Sequence, residues 1–116
     1  MKDVLFESIK INTLELKNRI YLPAMHLSMA KDFMVTDQII EFYAERARGG
    51  AGMIVIGNAT VDELSGNFTY IGAHSDDHLP GLTRLASPWP EERRCAFRPA
   101  GRGHCCWLRH RYLEPH

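Results

Sequence analysis

Hydrophobic and polar positions follow clear patterns in the first 86 residues of the chain. Residues 9–16 alternate apolar and polar side chains around Asn12-Thr13, which predicts two short strands joined by a turn. Residues 19–22 are a β-favouring run that stops at Pro23, which has no backbone N–H for a sheet ladder. We therefore expect a small hairpin, then a strand, and then a loop that begins at Ala24.

Residues 36–48 have the pattern of an amphipathic helix. Thr36 is a suitable N-cap, acidic residues come early, arginines come late, and Gly49-Gly50 follows the end. The apolar positions recur with a period of 3.6 residues, which predicts one buried face. These positions are Ile39, Ile40, Tyr43 and Ala47.

Residues 51–56 form a continuous apolar run without the alternation of a half-solvated strand. Such runs are typical of strands in parallel sheets that are covered on both faces. Strand, loop, helix, tight turn and buried strand together predict a right-handed βαβ unit, so the fold class is α/β. A polar loop is expected after Gly57, and Ser75 is the predicted N-cap of a second helix with Pro80 near its start.

The charge is balanced overall, with 14 basic and 14 acidic residues, so it gives no reason to expect nucleic acid or an anionic membrane as a partner. No apolar stretch approaches the ~20 residues of a membrane span, and acidic residues interrupt the N-terminus before any signal peptide could form. The first 86 residues contain no cysteine. We expect a cytoplasmic protein.

Residues 87–116 differ in composition from the rest of the chain. They hold six arginines, all three cysteines, both tryptophans and four of the six prolines, and they show no hydrophobic period. We interpret residues 1–86 as one unit and residues 87–116 as an aberrant tail, irregular and frameshifted or truncated in origin. One alternative is a metal site in the tail, although adjacent Cys105-Cys106 does not have the usual spacing of zinc ligands. Its ligands would come from Cys95, His104, Cys105, Cys106 and His110.

Several motifs in register carry a resemblance to a known family. They are Leu5-Phe6, residues 16–20, Pro23-Ala24-Met25-His26, residues 42–50 and residues 75–82. In this order and spacing, residues 3–86 resemble the start of the old yellow enzymes, which are NADH:flavin oxidoreductases. Within that family the chain is most similar to the branch of 2,4-dienoyl-CoA reductase and the enoate reductases.

The resemblance implies the N-terminal βαβ portion of a (β/α)₈ TIM barrel, preceded by a β-hairpin. A whole barrel needs ~250 residues, so residues 1–86 account for an incomplete one. The implied activity is that of an ene-reductase, in which hydride passes from NAD(P)H through FMN to the activated C=C bond of an enone or enoyl substrate. A 4Fe-4S cluster and FAD belong to full-length relatives in this branch, and no residues here correspond to them.

The implied cofactor site lies where two strands end, which is the face on which (β/α)₈ barrels build their sites. Pro23, Ala24 and Met25 match the segment whose backbone lies against the flavin ring, and His26 matches a position beside the flavin. Gly57 and Asn58 match the end of the second strand. No catalytic residue and no metal ligand is assigned, because the family's proton-donor tyrosine and substrate-binding histidine lie further along, and Tyr43 and Tyr70 do not match them.

Each of these residues also has an ordinary structural interpretation. Taken alone, Pro23 to Met25 is a strand terminator and His26 is a solvated loop histidine. His74 and His78 are expected to be solvated polar residues near a helix start rather than metal ligands. Three functions therefore stay open: an FMN-dependent oxidoreductase, a non-catalytic remnant that does not bind FMN, and a small binding module that uses the basic tail.

Overall fold

The structure, a computed structural model, describes residues 3–86 and 95–100. A 3₁₀ turn at Val4–Phe6 comes first, followed by an antiparallel hairpin of β1 (Ile9–Ile11) and β2 (Leu14–Leu16). Asn12 turns the chain in the left-handed region, at a φ of 54°, a conformation that asparagine tolerates. The predicted hairpin is confirmed.

The predicted βαβ unit is also confirmed. Strand β3 (Tyr21–Leu22) leads through a loop into helix α1 (Asp37–Arg48) and then into strand β4 (Met53–Thr60). β3 and β4 are parallel, with Leu22 opposite Ile54. This is the fold class expected from the sequence, an α/β unit from the start of a (β/α)₈ barrel, and the described residues do not close a barrel.

Helix α1 begins and ends at the residues that its sequence pattern indicates. The Thr36 side chain accepts a hydrogen bond from the backbone N–H of Ile39 and donates one to the carbonyl of Met29 at 2.8 Å. Arg46 and Arg48 lie in the last turn, where cations stabilise the helix dipole. Gly50, with a φ of 102°, then takes the left-handed conformation that reverses the chain toward β4.

The core lies between α1 and the sheet. Ile39, Tyr43 and Ala47 of the predicted helix face are buried, whereas Ile40 is half-buried at its edge. These helix residues pack against apolar side chains of β4, of the loop after β3 and of the segments that follow β4. The packing removes apolar surface from water, which is favourable. The buried partners are Ala30, Ile54, Ile56, Ile71 and Leu85.

Strand β4 is longer than its apolar run predicts. The expected loop after Gly57 is wrong for residues 58–60, because β4 continues to Thr60. There Ala59 and Thr60 pair with a short parallel strand, β5 (Ile71–Gly72). This pairing joins residues about a dozen positions apart, so hydrophobic periodicity along the chain does not reveal it.

The second helix starts where the sequence indicates, but in two steps. Ser75 caps a 3₁₀ turn at Asp76–His78, which continues into α2 (Leu79–Ala86). Pro80 is the second residue of α2, a position where its missing N–H costs little. Leu85 of α2 is fully buried against the core.

Six residues of the tail form a strand, β6 (Cys95–Ala100), parallel to β4. This differs from the irregular tail predicted from composition, and the reason is that strand pairing uses main-chain groups and needs no apolar period. Ile54 pairs with both β3 and β6, so these two strands lie on opposite edges of β4. The other proposed tail ligands, His104, Cys105, Cys106 and His110, lie outside the described residues.

Candidate functional site

The two segments singled out from the sequence lie side by side in the structure. Pro23 to His26 directly follow β3, and Gly57 and Asn58 lie inside β4 rather than at its end. A Cβ atom placed on Gly57 would lie 2.6 Å from Cβ of Ala24 and 3.1 Å from the backbone N of Met25. Only glycine therefore allows the loop backbone to approach β4 this closely.

Several residues around the contact between Gly57 and the loop after β3 are open to solvent. Met25 is 42% exposed, Pro23 and His26 are exposed, and Asn58 is half-buried, whereas Gly57 is buried beneath them. A shallow pocket of about 190 Å³, including its open mouth, adjoins Gly57 and Asn58. Its lining includes His26, Gly57 and Asn58 but not Pro23, Ala24 or Met25. Its other lining residues are 27–30, Ile39, Thr69 and Ile71.

His26 is held by side chains from both flanking loops. Its Nε2 lies 2.8 Å from Oγ of Ser28 and 3.4 Å from Oγ1 of Thr69. The ring of Tyr70 contacts it edge to face, with 4.0 Å between ring centroids. Partial desolvation lowers the pKa of His26 below its ordinary value, which favours the neutral imidazole.

A second polar cluster lies at the carboxyl end of β4, and the sequence patterns missed it. Nδ1 of His74 lies 3.0 Å from Oγ1 of Thr60, and the Nε2 atoms of His74 and His78 are 3.3 Å apart. His78 is only 7% exposed, so its expected solvated role is wrong. Gly72 makes room for it, since a Cβ there would lie 2.5 Å from the imidazole ring.

Burial also affects the pKa of His78 in this cluster. Desolvation and the neighbouring His74 lower the pKa of His78, while Asp77 opposes them. Nδ1 of His78 is buried without a hydrogen-bond partner in the described part of the chain, so an added proton there would be unpaired. In residues 3–86, no group of three or more side chains is placed to bind a metal ion.

The charged residues of α1 lie at its surface. Arg48 pairs with Glu41, and Arg84 of α2 pairs with Asp37. The guanidinium of Arg46 stacks on Phe42, 3.3 Å from the ring centroid, and donates to the Phe42 carbonyl. These contacts lie on the outer, solvent-exposed face of the helix. None of the helices described is long and apolar enough to cross a membrane.

The arrangement defines a class of protein. A β-hairpin precedes a parallel βαβ unit, and a glycine-dependent contact joins the loop after β3 to the interior of β4. The arrangement is that of an α/β protein and fits the start of a (β/α)₈ barrel.

Comparison with known proteins identifies the family. The family model of the NADH:flavin oxidoreductase / NADH oxidase family matches residues 4–89, and the chain belongs to this family. A metal reductase from Desulforamulus reducens is 46% identical over 83 residues, a match that covers 72% of this chain and 12% of the reductase. The resemblance to this family is therefore confirmed.

Solved structures agree on the fold. A 2-naphthoyl-CoA reductase, in complex with 2-naphthoyl-CoA, matches with a TM-score of 0.79 and 30% identity, over 85% of this chain and 16% of that one. An old yellow enzyme from Pichia sp. matches with a TM-score of 0.76 and 19% identity, over 84% of this chain and 26% of that enzyme. The chain spans 12% to 25% of the length of the curated relatives that it matches.

Proposed function

We propose that residues 4–86 form the first two strands of the FMN-binding barrel of an ene-reductase, which passes hydride from NAD(P)H through the flavin to an activated C=C bond. The observation that carries this proposal is the close approach of Ala24 and Met25 to Gly57, where a Cβ would meet them at 2.6 Å and 3.1 Å. It brings together the two strand ends that the family resemblance assigns to the flavin.

FMN suits the chemistry of this edge. Because Gly57 has no side chain, the backbone of the loop after β3 lies directly against β4. Met25 adds an exposed, polarizable thioether, a group that packs favourably on aromatic rings. The Asn58 amide supplies both a donor and an acceptor. The proposed cofactor residues are Pro23, Ala24, Met25, His26, Gly57 and Asn58.

When bound, FMN supplies the hydride chemistry, and the protein supplies position and electrostatics. Ala24 and Met25 exclude water from one face of the site, and Asn58 offers hydrogen bonds that fix orientation. Tyr43 is completely buried in the core, so it is not the proton donor to a substrate. The groups that would grip a substrate carbonyl are not assigned among the described residues.

The substrate class of this proposal is a small enone or an enoyl thioester. The structural neighbour solved with 2-naphthoyl-CoA binds a thioester of this general kind, at 30% identity to this chain. A cytoplasmic location belongs to the same proposal, since residues 1–86 contain no cysteine.

A chimeric enzyme tests the proposal. Residues 4–86 of this chain would replace the segment of the Desulforamulus reducens metal reductase that they match, and flavin absorbance and NADH oxidation would be measured against the parent. The FMN released from each protein would be quantified separately from FAD, and we expect the chimera to hold as much FMN as the parent. We expect Gly57→Val in the chimera to abolish FMN retention, because its side chain would displace Ala24 and Met25.

Glu63→Gln is the matched control, since Glu63 is exposed on the loop after β4, and flavin should be retained. A folded chimera without flavin would favour the alternative, that this chain is a non-catalytic remnant.

A further inference from the structure

The loop between β4 and β5 contacts His26 and is held in place by backbone hydrogen bonds and by packing. Its backbone is tied by hydrogen bonds from Ala30 N to Thr69 O at 3.3 Å and from Phe33 N to Phe68 O at 3.1 Å. Gly66 makes room for the ring of Tyr70, because a Cβ there would lie 2.1 Å from Cδ2 of the tyrosine. Tyr70 in turn packs edge to face on His26.

Hydrogen positions in this loop follow from its contacts. The backbone N–H of Thr69 donates to Oδ1 of Asn67 at 2.8 Å, which identifies that atom as the amide oxygen. The Thr69 hydroxyl also donates to this oxygen. The hydroxyl hydrogen of Thr69 therefore points to Asn67. Oγ1 of Thr69 lies 3.4 Å from Nε2 of His26 and presents a lone pair to it.

Only one tautomer of His26 makes both of its contacts attractive. With a hydrogen on Nε2, the imidazole donates to Oγ of Ser28 at 2.8 Å and to Oγ1 of Thr69. With a bare Nε2, the Ser28 hydroxyl could donate to it, but the lone pair of Thr69 would face another lone pair. The Nε2–H form is therefore the one that makes both contacts favourable, with Nδ1 left as the acceptor.

We propose that Asn67 and Thr69 are positioning residues that fix His26 as the Nε2–H tautomer, so that Nδ1 accepts a hydrogen bond from an N–H or O–H donor on the flavin or the substrate. The proposal rests on the proposed function for the identity of that donor. The groups that face His26 are Ser28, Thr69 and Tyr70, and no charged side chain contacts it in the part of the chain described here.

The tautomer of His26 in variants of Asn67 and Thr69 distinguishes this role from a purely structural one. Asn67→Ala releases the Thr69 hydroxyl hydrogen, which then donates to Nε2 and reverses the tautomer to Nδ1–H. Asn67→Asp keeps an acceptor oxygen and preserves the Nε2–H form. Thr69→Ser keeps the hydroxyl, whereas Thr69→Val removes one of the two acceptors of the Nε2 hydrogen and leaves Ser28.

Nitrogen-15 NMR of the full 116-residue chain, without flavin and above the pKa of His26, measures the two tautomers directly. We expect about a fivefold rise in the Nδ1–H to Nε2–H ratio for Asn67→Ala, the size expected for exchanging one hydrogen bond. Thr69→Val should also raise this ratio, and Asn67→Asp and Thr69→Ser should leave it unchanged.

An unchanged ratio in Asn67→Ala would overturn the proposal. So would a wild-type ratio equal to that of the chain in denaturant. Because the measurement needs no cofactor, its outcome is separate from that of the chimera, whose flavin content tests the proposed function.

Discussion

At the scale of single residues, Gly57 is the position on which the candidate site depends most. Gly57→Ala should destabilise the chain by about 1–3 kcal/mol, because the new methyl group overlaps Cβ of Ala24 at 2.6 Å. The clash exceeds the ~0.4–1 kcal/mol that a Gly→Ala change gains through the unfolded chain. Urea unfolding measures the difference.

A second substitution tests the cause of this loss. Ala24→Gly in the Gly57→Ala background removes the contact at 2.6 Å but leaves the Ala24 Cα and Met25 N atoms at 3.1 Å. We therefore expect partial recovery of the free energy of unfolding. Equal stability of Gly57→Ala and the wild type would contradict the close approach of the two strand ends.

His78 makes stability depend on pH. Its folded pKa is lowered from the ordinary value of 6.5 by desolvation and by His74, so the unfolded chain binds its proton more readily. The stabilisation is complete above the unfolded pKa and decreases as pH falls below it toward the folded pKa. Urea midpoints taken from about pH 8 down to about pH 5 should therefore fall.

The matched variant is His78→Gln, which keeps a polar side chain of similar length but does not titrate in this range. Its urea midpoint should depend less steeply on pH than that of the wild type. The same slope in both proteins would show that other groups, and not His78, cause the dependence.

At the scale of elements, the start of α1 is held by one hydroxyl group. Thr36→Ala should cost about 1 kcal/mol, because the N–H of Ile39 loses its cap and the Met29 carbonyl loses a donor at 2.8 Å. Thr36→Ser retains both hydrogen bonds and should lie close to the wild type. Urea unfolding of the three proteins checks this, and equal stability of the alanine and serine variants would argue against the cap.

Strand β4 packs against α1 through alternate residues. Ile56 is 1% exposed in the core, while its neighbour Val55 is half-buried. Ile56→Ala should cost about 2–5 kcal/mol in unfolding free energy, because it removes buried atoms and leaves a cavity. Val55→Ala is the comparison and should cost clearly less. A reversed order would place the core on the other face of β4.

At the scale of the whole molecule, the 116-residue chain by itself should neither retain FMN nor reduce enones. The pocket beside Gly57 and Asn58 is shallow and open to solvent, and several apolar side chains remain exposed. The further strands and helices of a complete barrel would normally cover such surfaces and supply the phosphate-binding loops. The most exposed apolar side chains include Val4, Leu5, Phe6, Leu64 and Phe68.

Flavin fluorescence quenching and NAD(P)H oxidation with cyclohexenone test this prediction on the purified chain. The mass in solution, compared with the chain mass of 13.2 kDa, is measured in parallel. Micromolar FMN binding with turnover by a monomer would contradict it. Turnover by a larger species would instead point to a barrel rebuilt from several copies.

The secondary structure of residues 9–56 was predictable because its signals are local. Asn12 in the hairpin turn, Thr36 at the cap and Gly50 after the helix act through their own backbone and near neighbours. The alternation and the 3.6-residue period report which side chains avoid water. Burial of Ile39, Tyr43 and Ala47 follows from this period alone.

The candidate site was predictable only in part. The family resemblance grouped Pro23 to His26 with Gly57-Asn58, and in the structure Ala24 and Met25 lie against Gly57. The role of these residues in flavin binding stays a prediction. The resemblance could not show why position 57 is glycine. The reason is that Ala24, which lies 33 positions earlier in the chain, packs directly against it. The contacts of Asn67 and Thr69 with His26 were hidden in a polar loop without a period.

The sequence by itself determined the hairpin, the capped helix, the parallel βαβ order and the family, because short-range backbone preferences and hydrophobic periodicity are written in neighbouring residues. Tertiary structure alone decided the extension of β4 to Thr60, the pairing of β5 and of β6 with β4, and the burial of His78. Each of these depends on contacts between residues far apart along the chain, where packing and hydrogen-bond geometry, rather than residue type, set the outcome.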